Sequence, residues 1–235
     1  MHKIDDKLAK VTARIHQAAI AAGRDPQTVQ LIAVSKTQPT AAVAEAYAWG
    51  QRAFGENYLQ EALDKQITLQ ALPDLEWHFI GPIQSNKTRP IAAHFNWVHS
   101  VDRLKIAQRL NEQRPDGLPP LNICVQVNID DESTKSGVSL ADLPQLTAAL
   151  RPLSRLRLRG LMAIPAATNN PAQQRAAFAK LRNALTDLNA QGFALDCLSM
   201  GMSGDMEAAI AEGATFVRVG TDIFGSRSSA TETTK

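Results

Sequence analysis

The chain has 235 residues, 44% of them hydrophobic and 20% charged, with 25 basic against 23 acidic side chains and a formal net charge of +2. That supplies ample material for a core, and so small a charge, with no basic block, excludes an argument for nucleic acid or a membrane surface as partner. The two cysteines, Cys124 and Cys197, lie in apolar runs and exclude a disulfide framework; with no secretory leader and no membrane-length apolar run, the expectation is a cytoplasmic protein with buried thiols.

Residues 3–22 place Ile4, Leu8, Val11, Ile15, Ala18, Ala19 and Ala22 at three- and four-residue spacing, which predicts an amphipathic helix stopped by Gly23. Leu31-Ile32-Ala33-Val34 is apolar on both faces, as in a buried parallel strand; it runs out into Ser35-Lys36, and Pro39 bars its continuation. An alanine-rich helix is expected over 40–49, ended by Gly50. Strand 52–56, helix 58–69, strand 76–81, helix 85–93, strand 95–101 and helix 103–113 continue the alternation, the last capped by Asp102. Beyond the proline-rich loop 115–120 come strand 121–129, the polar loop 130–137, helix 140–150 and strand 156–164. Asn170-Pro171 opens a long helix to residue 190. Strand 195–200, helix 206–212, strand 216–220 and a short turn at 221–224 complete the order, and the polar tail 226–235 is expected to fray.

Eight strands alternate with helices without a linker. The fold class is therefore α/β: a single (β/α)8 TIM barrel over residues 1–225 with an extra N-terminal helix. The competing doubly wound sheet carries a glycine-rich first turn, and no glycine follows Val34 there. A barrel of this kind places its site at the C-terminal strand ends. The residues to watch are then Lys36, Glu56 with Asn57, His78 to Gly81, His99 with Ser100, Asn128, Met162, Ser199 to Ser203, and Arg218 to Thr221.

An amine at the edge of an apolar interior is poorly solvated, which suits Lys36 to Schiff-base chemistry; the plainer reading is a lysine that snorkels to solvent. In Ser199-Met200-Gly201-Met202-Ser203-Gly204-Asp205, Gly201 and Gly204 permit close backbone approach, and Ser199 and Ser203 offer hydroxyls. Val219-Gly220-Thr221-Asp222 adds a second small-residue turn. Loops after the last two strands are the recurrent phosphate site of the fold. The alternative is a pair of tight turns with Ser203 or Asp205 as a helix cap. A Schiff-base lysine opposite a phosphate cradle suits pyridoxal 5′-phosphate, which carries an aldehyde and a phosphate at opposite ends. Arg218, inward on its strand, then faces the pyridine nitrogen, unless it serves as an ion-pair partner for an anion. His78 and His99 read as satisfied core histidines, and Lys135 as a solvated loop lysine.

The segments AVSKT (33–37), FGENYLQEA (54–62), WHFIGPIQSNK (77–87), VHSVD (98–102), GLMAIP (160–165), LSMGMSGDMEAAI (198–210) and VRVGTDIFG (217–225) span nearly the whole chain. In these it resembles the YggS/PROSC family of pyridoxal phosphate homeostasis proteins, whose barrel is similar to the N-terminal domain of alanine racemase. The resemblance implies Lys36 as the aldimine lysine, Arg218 at the pyridine nitrogen, and Ser203, Gly220 and Thr221 at the phosphate, with Ser199 and Gly201 in the same cradle. Asn57 is expected near the ring oxygen or the lysine. Met162 is expected against a ring face or in the core. Many members carry a second lysine two residues after the first; here that position is Gln38. Racemisation needs a second base opposite the lysine. In the racemase this is a tyrosine from an additional domain on a partner subunit, whereas the tyrosines here, Tyr47 and Tyr58, belong to early helices. The implied function is a monomeric carrier or regulator that holds pyridoxal phosphate without efficient turnover and supports its supply to apo-enzymes. A racemase-like enzyme and a lysine Schiff-base aldolase acting on a phosphorylated sugar are the alternatives.

Overall fold

The β-branched run that ends at Val34 forms a strand because it can bury both faces, and the rest of the barrel closes around it. The computed structural model describes residues 4–132 and 135–225. The strands are β1 (Gln30–Val34), β2 (Ala53–Glu56), β3 (Glu76–Phe79), β4 (Trp97–Val101), β5 (Leu121–Asn128), β6 (Val138–Ser139), β7 (Leu156–Met162), β8 (Cys197–Ser199) and β9 (Phe216–Val219). The helices are α1 (Ile4–Ala21), α2 (Thr40–Trp49), α3 (Leu59–Thr68), α4 (Thr88–His94), α5 (Leu104–Gln113), α6 (Leu143–Leu150), α7 (Pro171–Ala190), α8 (Met206–Ala211) and α9 (Thr221–Phe224). Eight strands pair in parallel in the order β4-β3-β2-β1-β9-β8-β7-β5, and the β4–β5 pairing closes the ring. This is the expected (β/α)8 barrel, with α1 as the extra helix packed against α2, α8 and α9. No helix among the described residues is long and apolar enough to cross a membrane.

Two local expectations fail for physical reasons. Asp102 does not cap α5: the cap position is Arg103, without a side-chain cap bond, and Asp102 Oδ1 accepts from the Arg103 guanidinium at 2.7 Å instead. Residues 140–142 are not helical. The short β6 pairs with the end of β5, and Ser139 Oγ both donates to Asp142 Oδ2 at 2.7 Å and accepts from Asp142 N at 3.1 Å, so α6 starts at Leu143. The expected fraying of 226–235 lies outside the described residues.

The barrel interior is filled by Ile32, Ala53, Trp97, Cys124, Met162, Cys197 and Phe216. Cys124 and Cys197 are free buried thiols, as expected, with their sulfurs 3.9 Å apart. At the base, Trp97 Nε1 donates to Glu76 Oε1 at 2.7 Å, and Arg159 lies over the Trp97 ring while holding Asp196 at 2.7 Å. The base is thus plugged by an aromatic ring and ion pairs. Gly160 is required there, because a Cβ would meet the Cys197 carbonyl oxygen at 1.7 Å.

Candidate functional site

Lys36 stands on a tight turn, Ser35 to Gln38, closed by the Gln38 N–H donating to Ser35 O at 3.0 Å, with Thr37 at φ +62°. Such a φ is costly for a β-branched residue and persists only where neighbours hold it. Here α3 does so. Lys65 Nζ donates to Ser35 O at 2.6 Å, Glu56 Oε1 at 2.7 Å and Glu61 Oε1 at 2.6 Å; Glu61 Oε1 also accepts from Thr37 N at 2.6 Å. Ser35 Oγ donates to Glu56 Oε1 at 2.6 Å. Both residues flanking Lys36 are therefore pinned by one buried cluster. Burial pushes the Glu56 carboxyl up, and Lys65 and Ser35 offset part of that. Lys36 itself is half-buried, and its amine makes no hydrogen bond or ion pair among the described residues.

Two further residues stand at the same end of the barrel, just past the strands that flank β1. Asn57 follows β2, and its Oδ1 is buried with no donor among the described residues. Gly220 follows β9 and packs on the end of β1: a Cβ there would lie 3.1 Å from the Val34 carbonyl oxygen. A cavity of about 270 Å³ opens beside Asn57, lined by Ile80, Gln126, Lys135, Ser136 and Ile164. Lys135 is not the isolated solvated lysine expected from its loop. Asp130 at 2.7 Å and Glu132 at 3.2 Å pair with it and raise its pKa, Asp130 first.

The loop between β8 and α8 folds on itself. Gly201 has φ +93°, and a Cβ there would meet the Ala209 Cβ at 2.5 Å. Asp205 Oδ1 accepts from Met202 N at 2.6 Å, so its carboxylate closes the loop and makes no cap bond to α8. Among the described residues, the amides of Ser203 and Gly204 find no acceptor. Thr221 opens the single turn of α9 beside this loop.

Beneath the mouth a polar line threads the interior. Arg218 donates to Ser199 Oγ at 2.7 Å and to Ala163 O at 3.0 Å. Ser199 Oγ lies 2.8 Å from His99 Nδ1, and His99 Nε2 lies 2.9 Å from His78 Nδ1. His78 Nε2 faces Glu76 Oε2 at 3.6 Å, a long electrostatic contact. Burial lowers both histidine pKa values, so both rings are neutral. Burial likewise brings Arg218 down to about 10; it remains a cation, and no carboxylate among the described residues pairs with it directly.

The structure thus brings Lys36, Asn57, Gly201, Ser203, Gly220 and Thr221 to one end of the barrel, with Arg218 below them. Ser199 and Met162 are wholly buried: the serine hydroxyl belongs to the polar line, and Met162 to the interior core. His78 and His99 are core histidines, as expected, but only His99 is satisfied at both ring nitrogens; His78 Nε2 is buried without a hydrogen-bond partner among the described residues. Sequence reading missed the cluster of Glu56, Glu61 and Lys65. Its one visible trace was the i,i+4 spacing of Glu61 and Lys65.

A family model for the alanine racemase N-terminal domain matches residues 7–228. A pyridoxal phosphate homeostasis protein of Pseudomonas aeruginosa is 67% identical over 227 residues, covering 97% of each chain. One of Escherichia coli is 54% identical over 97% of this chain and 98% of its own. Among solved structures, PipY of Synechococcus elongatus with pyridoxal phosphate bound superposes with a TM-score of 0.84 at 42% identity, covering 95% of this chain and all of the other.

Proposed function

The chain belongs to the alanine racemase N-terminal domain family and, within it, to the pyridoxal phosphate homeostasis proteins, and from that premise we propose that it binds pyridoxal 5′-phosphate and serves its homeostasis as a carrier or regulator. The observation that carries the reading is a free, half-buried amine, Lys36, standing above a buried guanidinium that has no carboxylate partner among the described residues. A buried cation without a counter-charge is expensive, and a ligand with lone pairs and negative charge relieves it. The orphaned Asn57 Oδ1 and the acceptorless Ser203 and Gly204 amides fit the same group.

When bound, the cofactor supplies an aldehyde that a lysine amine can capture. Lys36 would hold it covalently, and Arg218 would face the ring nitrogen. Gly201, Ser203, Gly220 and Thr221 would hold the phosphate, with Ser199 supporting Arg218 from below. Asn57 Oδ1 would accept from the lysine or the ring hydroxyl. Arginine is donor-only and keeps its own proton, so it does not favour a protonated ring nitrogen, which weakens the electron sink.

We further propose that turnover is inefficient. Two-sided proton transfer needs a second base, and neither tyrosine is placed to supply it. Tyr47 lies in α2 under the Arg52 guanidinium, and Tyr58, at the start of α3, is more than half exposed to water. Two buried thiols left free fit a reducing cytoplasm. The carrier role further implies a monomer with an uncovered mouth that passes the cofactor to apo-enzymes.

The test combines three measurements. The purified protein should be yellow, and borohydride should bleach the visible band while fixing the label to Lys36. Lys36→Ala should lose the band yet keep non-covalent binding through the phosphate contacts. Loaded protein should reactivate an apo-enzyme that needs the cofactor and fail a chiral assay across common amino acids. Robust Lys36-dependent racemisation would overturn the carrier reading in favour of a racemase, and a colourless protein that binds a phosphorylated sugar would favour the aldolase.

A further inference from the structure

The extra N-terminal helix carries one side chain that reaches the mouth. Arg14, midway along α1, donates through NH2 to the Ser203 carbonyl oxygen at 3.0 Å and through NH1 to Asp222 Oδ2 at 2.6 Å, and it pairs with Glu207 Oε1 at 2.8 Å. Ser203 belongs to the loop after β8, Glu207 to the first turn of α8, and Asp222 to α9 after β9. One guanidinium fork therefore ties both small-residue loops together, across sequence separations of 189 and 208 residues.

We propose that Arg14 is a positioning residue for the anion cradle formed by these two loops, and this rests on the reading that they hold the cofactor's phosphate. The argument is geometric. A trans peptide points its C=O and the following N–H in opposite directions, and no cis peptide is present among the described residues. Fixing the Ser203 carbonyl toward α1, outside the barrel, turns the Gly204 N–H away from α1. That amide and its neighbour at Ser203 both lack an acceptor among the described residues. Through Asp222 the same fork sets α9, and with it Thr221, against the first loop. Lysine, a compact point charge without the planar fork, cannot reproduce the spread of donors by which Arg14 reaches Ser203, Glu207 and Asp222 together.

A merely structural role for Arg14 would weaken every ligand alike through loss of fold. The proposal instead predicts selective loss of phosphate recognition. The experiment measures dissociation constants for pyridoxal 5′-phosphate and for pyridoxal, which lacks the phosphate, by titration of the visible band. It uses wild type, Arg14→Met, Arg14→Lys and Arg24→Met. Arg24 is the control: it lies in the connection just after α1, donates to Ile210 O at the other end of α8 at 2.8 Å and touches neither loop.

Wild type should prefer the phosphorylated form strongly. Arg14→Met should lose about tenfold of that preference, the low end for an outer contact to a binding shell, with pyridoxal affinity unchanged within about twofold. Arg14→Lys should recover part of it, and it keeps the test open if the methionine variant does not fold. Arg24→Met should lower the unfolding midpoint without altering the preference. An unchanged preference in both Arg14 variants, equal losses for both ligands, or the same loss in Arg24→Met would overturn the proposal. Binding without any phosphate preference in wild type would instead show that the cradle reading itself is wrong.

Discussion

Replacing Lys65 by methionine removes the cation beneath the Lys36 turn while keeping most of its volume. Three acceptors lose the Lys65 ammonium: Ser35 O, Glu56 Oε1, which keeps the Ser35 hydroxyl, and Glu61 Oε1, which keeps the Thr37 amide. They do not count equally. The Glu61 side chain is 28% exposed, so water replaces much of that contact, whereas Glu56 has no exposed surface. The dominant effect is a buried carboxylate left without its counter-ion, which costs about 3–5 kcal/mol. At about 2–4 °C per kcal/mol for a domain of this size, the unfolding midpoint should drop by roughly 10 °C. The pH dependence fixes the cause. Burial already raises the Glu56 pKa, and removing Lys65 raises it further. An acid raised in the folded state binds more protons folded than unfolded, so stability falls as pH climbs from the unfolded to the folded pKa. The deficit of Lys65→Met should therefore be smallest in acid and grow toward neutral pH. Adding Glu56→Gln to the variant should return at least half the lost stability at pH 7. Urea unfolding at several pH values checks all of this. A deficit under about 1 kcal/mol, or one flat with pH, would refute a buried ion pair as what holds the turn.

Three further perturbations probe other parts of the molecule. Glu76 is held down at about 2, with His78 first among its causes, against desolvation and aided by Trp97 and Gln30; its stabilisation is complete above the unfolded carboxylate pKa and should vanish as pH falls from about 4.3 toward that value, so Glu76→Gln should flatten the acid limb of a stability-pH curve. Ser199→Ala strands both the Arg218 donor and His99 Nδ1 in the interior, and should cost about 1–3 kcal/mol in denaturant unfolding. Gly201→Ala must adopt φ +93° and place a Cβ 2.5 Å from Ala209; it should cost about 1–3 kcal/mol by the same measurement and weaken cofactor affinity in the band titration.

What could be read from the sequence followed local rules. Helix α2 has the bounds expected because Pro39 and Gly50 punctuate it, the glycine at φ +117° accommodating a left-handed C-cap. Asn170 caps α7 through Ala172 N and Gln173 N, as the Asn-Pro pair foretold. Lys36 at a strand end was legible for the same reason: a buried run followed by a proline has to emerge somewhere. What depended on distant partners was hidden. Lys65 looks like a solvent-face residue of an amphipathic helix, and only the fold turns it beneath residues 30 positions earlier. Asp102 had the right residue type and place for a cap, but its neighbour Arg103 offers a charged donor that outcompetes the helix amides. Met162 and Ser199 sit at strand ends as expected, yet both side chains turn into the closed interior, which no linear pattern records.

The polar line also explains why a chain of such small net charge would receive an anion at its mouth. Arginine only donates, so Ser199 Oγ accepts from it and keeps its own proton free to donate to His99 Nδ1. That places the proton of neutral His99 on Nε2, facing His78 Nδ1, and the proton of His78 on Nε2, facing Glu76. The sequence of charges along the axis is then fixed, with Glu76 at the base, two neutral imidazoles between, and Arg218 beneath the mouth. The imidazole dipoles turn their negative ends toward Arg218 and offset part of its charge, but with no contacting carboxylate the buried cation is only partly balanced. Asp205, the acid whose charge acts most on Arg218, is occupied by the Met202 amide and does not contact the guanidinium. On the proposed reading, the balance is completed by the cofactor, which brings lone pairs and negative charge to the end of the barrel where Lys36 stands.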